Sequence, residues 1–296
     1  MVTRDISYPG GTEQFVGDLL LYILQNCGQF SNVFLHETDM HAQFSNKKIY
    51  KKLESCGLKI LKPKAIGDSF WNPSKAFELK GIINKYKINI VHSFLFNSDF
   101  VVFHAKFGTE YISKEIQKIK NYNQYQSITR AKGDDKFLVE KSNFYWISSK
   151  LSNFSIALEK STKEWQIRKK IIDNELEPII SAHTDLITCV SSKGVKKWSK
   201  WTKNEPVLIP CASISKEEFK KINKKNNKRK LRLARYYIPR NARVFSSVSR
   251  LVEGKGFKYL IKAFNRHSQK YPNDYLLIAG DGPKKDKLIK LARKNN

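Results

Sequence analysis

At 296 residues, 41% hydrophobic and 12% aromatic, the chain has material for more than one packed core, which excludes wholesale disorder and predicts two domains. A formal net charge of +28 points to an anionic partner (nucleic acid, an acidic membrane surface or a phosphorylated substrate), although a lysine-, asparagine- and isoleucine-rich coding bias would raise the same number. No apolar run approaches the ~18–20 residues that span a bilayer, no signal-peptide pattern is visible, and Cys27, Cys56, Cys189 and Cys211 lack the spacing of a zinc knuckle, redox dithiol or disulfide framework, so a cytoplasmic protein with reduced thiols is expected.

The elements follow in chain order. "MVTRDISY" begins as a short strand and breaks at "PGGTEQ", where a helix opens; Thr12 is placed to cap it and Glu13 falls in its first turn. Within "TEQFVGDLLLYILQ", Phe15, Leu19, Tyr22 and Ile23 recur at helical spacing and predict the buried face. Residues 32–37 and 58–63 read as strands, with the helix "NKKIYKKLESCG" between them. "PSKAFELKGIINKYK" is the next helix, and "INIVHSFLF" (88–96) reads as a buried strand with a polar exit. From 109 to 180 the pattern is less regular: "SITRAKGDD" (127–135) looks like a strand end, and the long polar helical stretches after it carry Trp146 and Trp165 at no clear period.

"HTDLITCVSS" (183–192) and "PVLIPCA" (206–212) return to strand character. Between Lys216 and Arg235 stand ten basic residues against two acidic ones. Phe219, Tyr236 and Tyr237 sit at the edges of this run, whereas a base-stacking platform needs its aromatics between the charges. The run therefore reads as a solvated connector, and nucleic acid is not the expected partner. Beyond it, "ARVFSSVSR" is a strand and "FKYLIKAFNRHSQKY" an amphipathic helix with Phe257, Leu260, Ile261 and Phe264 on one face. "DYLLIAGDGP" is a second strand and "KKDKLIKLARKNN" a second helix. This βα alternation predicts an α/β fold on a mostly parallel sheet.

"VSRLVEGKGF" (248–257) is the motif with the most chemistry. It lies where a strand gives way to a helix, the end at which open parallel sheets bind ligands. Arg250 can offer a planar fork of donors to phosphate oxygens and Lys255 a mobile point charge. Gly254 and Gly256 would let a ligand approach the backbone, and a helix N-terminus favours an anion. The spacing matches neither a P-loop nor a dinucleotide fingerprint. On residue types alone, a phosphate cradle and an ordinary strand–helix turn both remain open.

"VSRLVEGKGFKYLIKAF" followed by "YLLIAGDGP" resembles the start of the C-terminal domain in family 4 glycosyltransferases, which have the GT-B fold. "GGTEQFVGDLL", "INIVHSFLF", "HTDLITCVSS" and "VLIPCASISKEEF" are similar to the family's N-terminal blocks in the same order. The resemblance implies an α/β protein of two Rossmann-like domains, the second incomplete: 1–212, a basic connector at 213–241, and 242–296. It implies transfer of a sugar from a nucleotide-diphosphate sugar to a glycan or lipid-linked acceptor with retention of configuration. It needs neither cofactor nor metal.

Carried over by motif, Arg250 and Lys255 hold the donor diphosphate and Gly10 and Gly11 approach it. His92 and Arg130, at predicted strand exits, are candidate catalytic residues. The sequence departs from the family at Pro210-Cys211-Ala212 and at Phe94, where many members carry a second histidine. The family's pair of glutamates that contact the donor is not found before Asn296, so a truncated chain that binds phosphate or nucleotide without turnover is the alternative expectation. The positive charge would suit peripheral contact with the anionic inner face of a membrane.

Overall fold

A computed structural model describes residues 1–3, 11–30, 32–37, 47–61, 73–120, 123, 139–151, 167, 169–211, 219–220, 236–239 and 241–294. The chain divides into two compact units, Met1–Ser155 with Thr162–Cys211, and Ile156–Ser161 with Ala212–Asn296.

The first unit is built on a parallel sheet of seven strands: β1 (Val2–Thr3), β2 (Phe34–Glu37), β3 (Lys59–Leu61), β4 (Ile90–Phe94), β5 (Tyr145–Lys150), β6 (Leu186–Cys189) and β7 (Val207–Leu208). Their order is β3-β2-β1-β4-β5-β6-β7, so the winding direction reverses between β1 and β4. Helices α1 (Gly11–Asn26), α2 (Lys47–Ser55), α3 (Pro73–Tyr86), α4 (Leu95–Phe107), α5 (Thr109–Gln117), α6 (Glu177–His183) and α7 (Ser192–Trp198) accompany it. Val91 and Phe94 lie three apart on β4 and so point to opposite faces. Val91 joins Ala76, Leu79, Phe100, Phe103 and Trp146 in one core, while Phe94 joins Leu20, Leu35 and Leu53 in the other. A sheet covered on both faces explains the nearly unbroken apolar runs of its strands.

Three local readings are corrected by the packing. Helix α1 buries Val16, Gly17, Leu20 and Leu21, and Tyr22, expected inside, is exposed. The run 88–96 is a strand only to Phe94, and the chain turns at Leu95 directly into α4. Leu95 has φ 69°, a left-handed conformation unusual for a branched side chain. The region around Trp146, expected to be helical, is strand β5 in the middle of the sheet, with Trp146 completely buried.

β5 also carries a buried polar network. Trp146 Nε1–H donates to Ser93 Oγ (2.7 Å), and Ser93 donates to Asp99 Oδ1 (2.6 Å). Lys150 Nζ donates to Asp99 Oδ2 (2.6 Å) and Glu177 Oε2 (2.8 Å), and lies 4.7 Å from the centre of the Trp198 ring. Burial alone would drive the Lys150 ammonium toward neutrality, but the two carboxylates outweigh it and hold the group above the ordinary lysine range. Burial pushes Glu177 upward, against the pull of Lys150.

His36 and His104 are buried in the same unit, and burial lowers both imidazoles from 6.5 to about 4. The unfolded chain takes up these protons near pH 6.5, whereas the native protein does so only near pH 4. Stability is therefore full above pH 6.5 and falls as pH drops toward 4, by about 1.4 kcal/mol per pH unit for each histidine. All five tryptophans precede Cys211, so their fluorescence reports this unit alone. Urea midpoints followed by tryptophan fluorescence should fall clearly between pH 7 and pH 5; an unchanged midpoint would contradict the assignment.

The second unit has two paired parallel strands, β8 (Arg243–Val248) and β9 (Asp274–Ala279). After β8 come a 3-10 turn (Glu253–Lys255) and α8 (Phe257–Lys270); α9 (Lys285–Lys294) follows β9. Phe257 and Ile261 anchor α8, with Phe264 partly covered, as the amphipathic spacing predicts. No helix among the described residues is long and apolar enough to cross a membrane.

Candidate functional site

The loops leaving β8 and β9 are bonded to each other beyond the ends of their strands. Ser249 N–H donates to Ala279 O (3.2 Å), Leu251 N–H to Asp281 O (2.8 Å) and Lys284 N–H to Leu251 O (3.0 Å). Leu251 and Val252 are buried, whereas Arg250, Glu253, Gly254 and Lys255 are exposed. Arg250 is therefore held between two residues whose amides are pinned, and its side chain projects from a defined backbone. An ion pair of Lys284 with Glu253 (2.5 Å) ties the same loops at the surface, and Lys284 keeps the Glu253 carboxyl below its usual range.

Glycines make this join possible, though not the two expected from the first loop alone. Gly256 is required by its backbone, with φ 72° at the start of α8, while Gly254 has open space around it. Close approach falls to the second loop: a Cβ on Gly280 would lie 2.0 Å from Ser249 O, and one on Gly282 2.7 Å from Leu251 O. Gly280→Ala should cost the second unit roughly 2–4 kcal/mol through clash and backbone strain. Hydrogen exchange should show loss of protection at the Ser249 and Leu251 amides; retained protection at both would refute the close-approach argument.

No side chain caps the start of α8, so its first amides are open to an anion. An apolar groove of about 610 Å³ between α8, β9 and α9 is lined by Leu276, Ile278, Phe264 and Leu288 among others, but by neither Arg250 nor Lys255.

The first unit holds the other candidates. Gly11 is the first residue of α1, exposed and with open space where a Cβ would stand, so its packing does not require glycine. His92 lies on β4, beside the reversal point at which open α/β sheets place ligands. Its Nε2 is 2.7 Å from Ser149 Oγ, and its ring stacks on Phe94 at 4.3 Å. Burial, helped by the Met1 amine, lowers the imidazole to about 3, so the ring is neutral at physiological pH. Gly10 and Arg130 lie outside the described residues, as does nearly all of the basic run 216–235. Ser149 gave no signal in the sequence, because the segment around it has no readable period.

The parallel α/β architecture matches the GT-B fold of its structural neighbours. The same fold is found in a glycosyltransferase from Rickettsia africae (TM-score 0.52, 12% identity, covering 99% of this chain and 63% of that one). It is also found in sucrose-phosphate synthase from Thermosynechococcus elongatus (TM-score 0.59, 16% identity, 100% of this chain and 67% of that one).

Sequence comparison narrows the class. Residues 217–296 match the family described as Glycosyl transferases group 1, so the resemblance read from "VSRLVEGKGF" and "AGDGP" is that of this family. An uncharacterized glycosyltransferase of Methanocaldococcus jannaschii is 34% identical over 108 residues, 36% of this chain and 25% of its own length. The chain thus spans about a quarter of that relative in the matched region, and about two thirds of the two solved structures.

Proposed function

We propose that the protein takes part in glycosyl transfer, moving a sugar from a nucleotide-diphosphate sugar to a glycan or lipid-linked acceptor with retention of configuration. Arg250 carries this reading. It stands at the C-terminal ends of two parallel strands, on a loop pinned on both sides of it, and that loop runs through Lys255 into an uncapped helix start. Two cations and open amides suit a diphosphate, whose negative charge grows as the sugar–phosphate bond breaks. Preorganised donors facing developing charge contribute about 3–4 kcal/mol each to lowering a barrier. Here the side chains, rather than a bound metal, supply that stabilisation. The net charge of +28 suits an acceptor carried at an anionic membrane, where each nearby lysine adds roughly 1 kcal/mol.

The test titrates the full chain with UDP, GDP, ADP and dTDP by calorimetry, and then assays transfer from the matching nucleotide sugars. Saturable binding of one nucleoside diphosphate is expected. Binding without transfer would support the phosphate-binding reading alone. If no nucleotide bound while oligonucleotides bound tightly and salt-sensitively, the glycosyl-transfer reading would be wrong.

A further inference from the structure

We propose that Ser149, backed by Thr188, is the positioning residue that fixes the tautomer of His92, holding Nε2 as an acceptor so that Nδ1 carries the proton. The functional consequence rests on the glycosyl-transfer reading proposed above; the tautomer itself does not.

Three strands contribute to one hydrogen-bonded line. His92 Nε2 on β4 is 2.7 Å from Ser149 Oγ on β5, which is 2.7 Å from Thr188 Oγ1 on β6. Ser149 and Thr188 are direct register partners, and both are buried. A neutral imidazole has one N–H donor and one acceptor nitrogen, so this line can run in two directions. If Thr188 donates to Ser149 and Ser149 donates to Nε2, both buried hydroxyl protons are used. If instead Nε2–H donates to Ser149, the contact between the two hydroxyls can use only one of their protons, whichever of them is the donor. The other proton is then left without an acceptor among the described residues, and a buried unmet donor forfeits its hydration with nothing in return. The first direction therefore wins. Stacking on Phe94 holds the ring against the flip that would put Cε1 in place of Nε2 at Ser149.

The consequence is chemical. His92 presents a neutral N–H donor on the side away from Ser149. Its partner would be an acceptor oxygen, from either a sugar hydroxyl or a phosphate. As a donor, this nitrogen cannot also serve as a general base, so His92 orients a ligand rather than removing a proton from it.

The full chain, labelled with ¹³C and ¹⁵N at histidine, decides the matter by the ring ¹⁵N and Cδ2 shifts at pH 7, with the His92 signals assigned by their loss in His92→Gln. The wild type should show the Nδ1–H tautomer. Ser149→Ala should move it toward Nε2–H, while Thr188→Val, in which Nε2 is the remaining acceptor for the Ser149 proton, should leave it unchanged. An Nε2–H tautomer in the wild type overturns the proposal, as does a Ser149→Ala signal identical to wild type. If Ser149→Ala does not fold, the wild-type spectrum still decides, and an Nε2–H tautomer in Thr188→Val also overturns the proposal. No nucleotide enters the tautomer measurement, so its outcome is separate from the test of glycosyl transfer. Repeating the spectrum with a nucleoside diphosphate and with a simple sugar separates the two sources of oxygen by which one perturbs Nδ1.

Discussion

Arg250→Ala is expected to weaken nucleoside-diphosphate binding by roughly 10- to 100-fold, and Lys255→Ala by a similar or smaller factor. A hydrogen bond to a charged group contributes about 1.5–3 kcal/mol, and each 1.4 kcal/mol is about tenfold in affinity. Arg250 should dominate, because its fork can engage two phosphate oxygens at once and its backbone is pinned through Ser249 and Leu251. Lys255 follows a surface turn and acts as a point charge. Arg250→Lys should therefore recover only part of the loss, since it restores charge without the planar fork. Wild-type affinity should also fall with salt more steeply than that of either alanine variant. Calorimetry on the full chain, with circular dichroism to verify folding, measures all of this. If wild type binds a nucleoside diphosphate and the double alanine variant binds it equally well, the phosphate site lies elsewhere.

The second large effect concerns stability. Lys150→Met should destabilise the first unit by about 3–5 kcal/mol, because it leaves the Asp99 and Glu177 carboxylates buried without their shared cation. Asp99, Lys150 and Glu177 come from α4, β5 and α6, so the loss loosens the packing of two helices on the sheet. The comparison with Lys150→Met/Asp99→Asn/Glu177→Gln separates charge from shape. Removing all three charges should restore much of the stability, since neutral groups of similar volume avoid the cost of desolvation. The gap between wild type and Lys150→Met should also narrow as pH falls, because carboxylates without a counter-charge accept protons more readily. Urea unfolding followed by tryptophan fluorescence reads both effects. A loss below about 1 kcal/mol would mean that water reaches the network and screens it.

The cationic loop between β8 and α8 was legible because it is local. Strand, loop and helix follow one another within 243–270, so amphipathic spacing and the identities of Arg250, Lys255 and Gly256 carry the reading with little help from the rest of the chain. The alternation of strands and helices in 1–107 was legible for the same reason, apart from the faces of α1 and the onset of α4. Those two depend on how the helices meet the sheet: Val16 is fully covered in the core with Leu20, Leu35 and Leu53, while Phe15 is only partly covered and meets Phe94 edge-on at 6.3 Å. Asp99 illustrates the difficulty. An acidic side chain just past an apolar run gave no sign of burial, yet in the fold it is completely buried, with Lys150 and Ser93 satisfying it.

By itself, then, the sequence determined the α/β class, the order of most elements and the cationic loop at Arg250 and Lys255, since each depends on neighbours a few positions away. Only the tertiary structure decided the place of β5, the burial of Lys150, the reliance of the second loop on Gly280, and the partners of His92. Those partners lie 57 residues from His92 to Ser149 and a further 39 to Thr188. Such pairings leave no period in the chain, because they are selected by the register of parallel strands and by the need to satisfy every buried polar group.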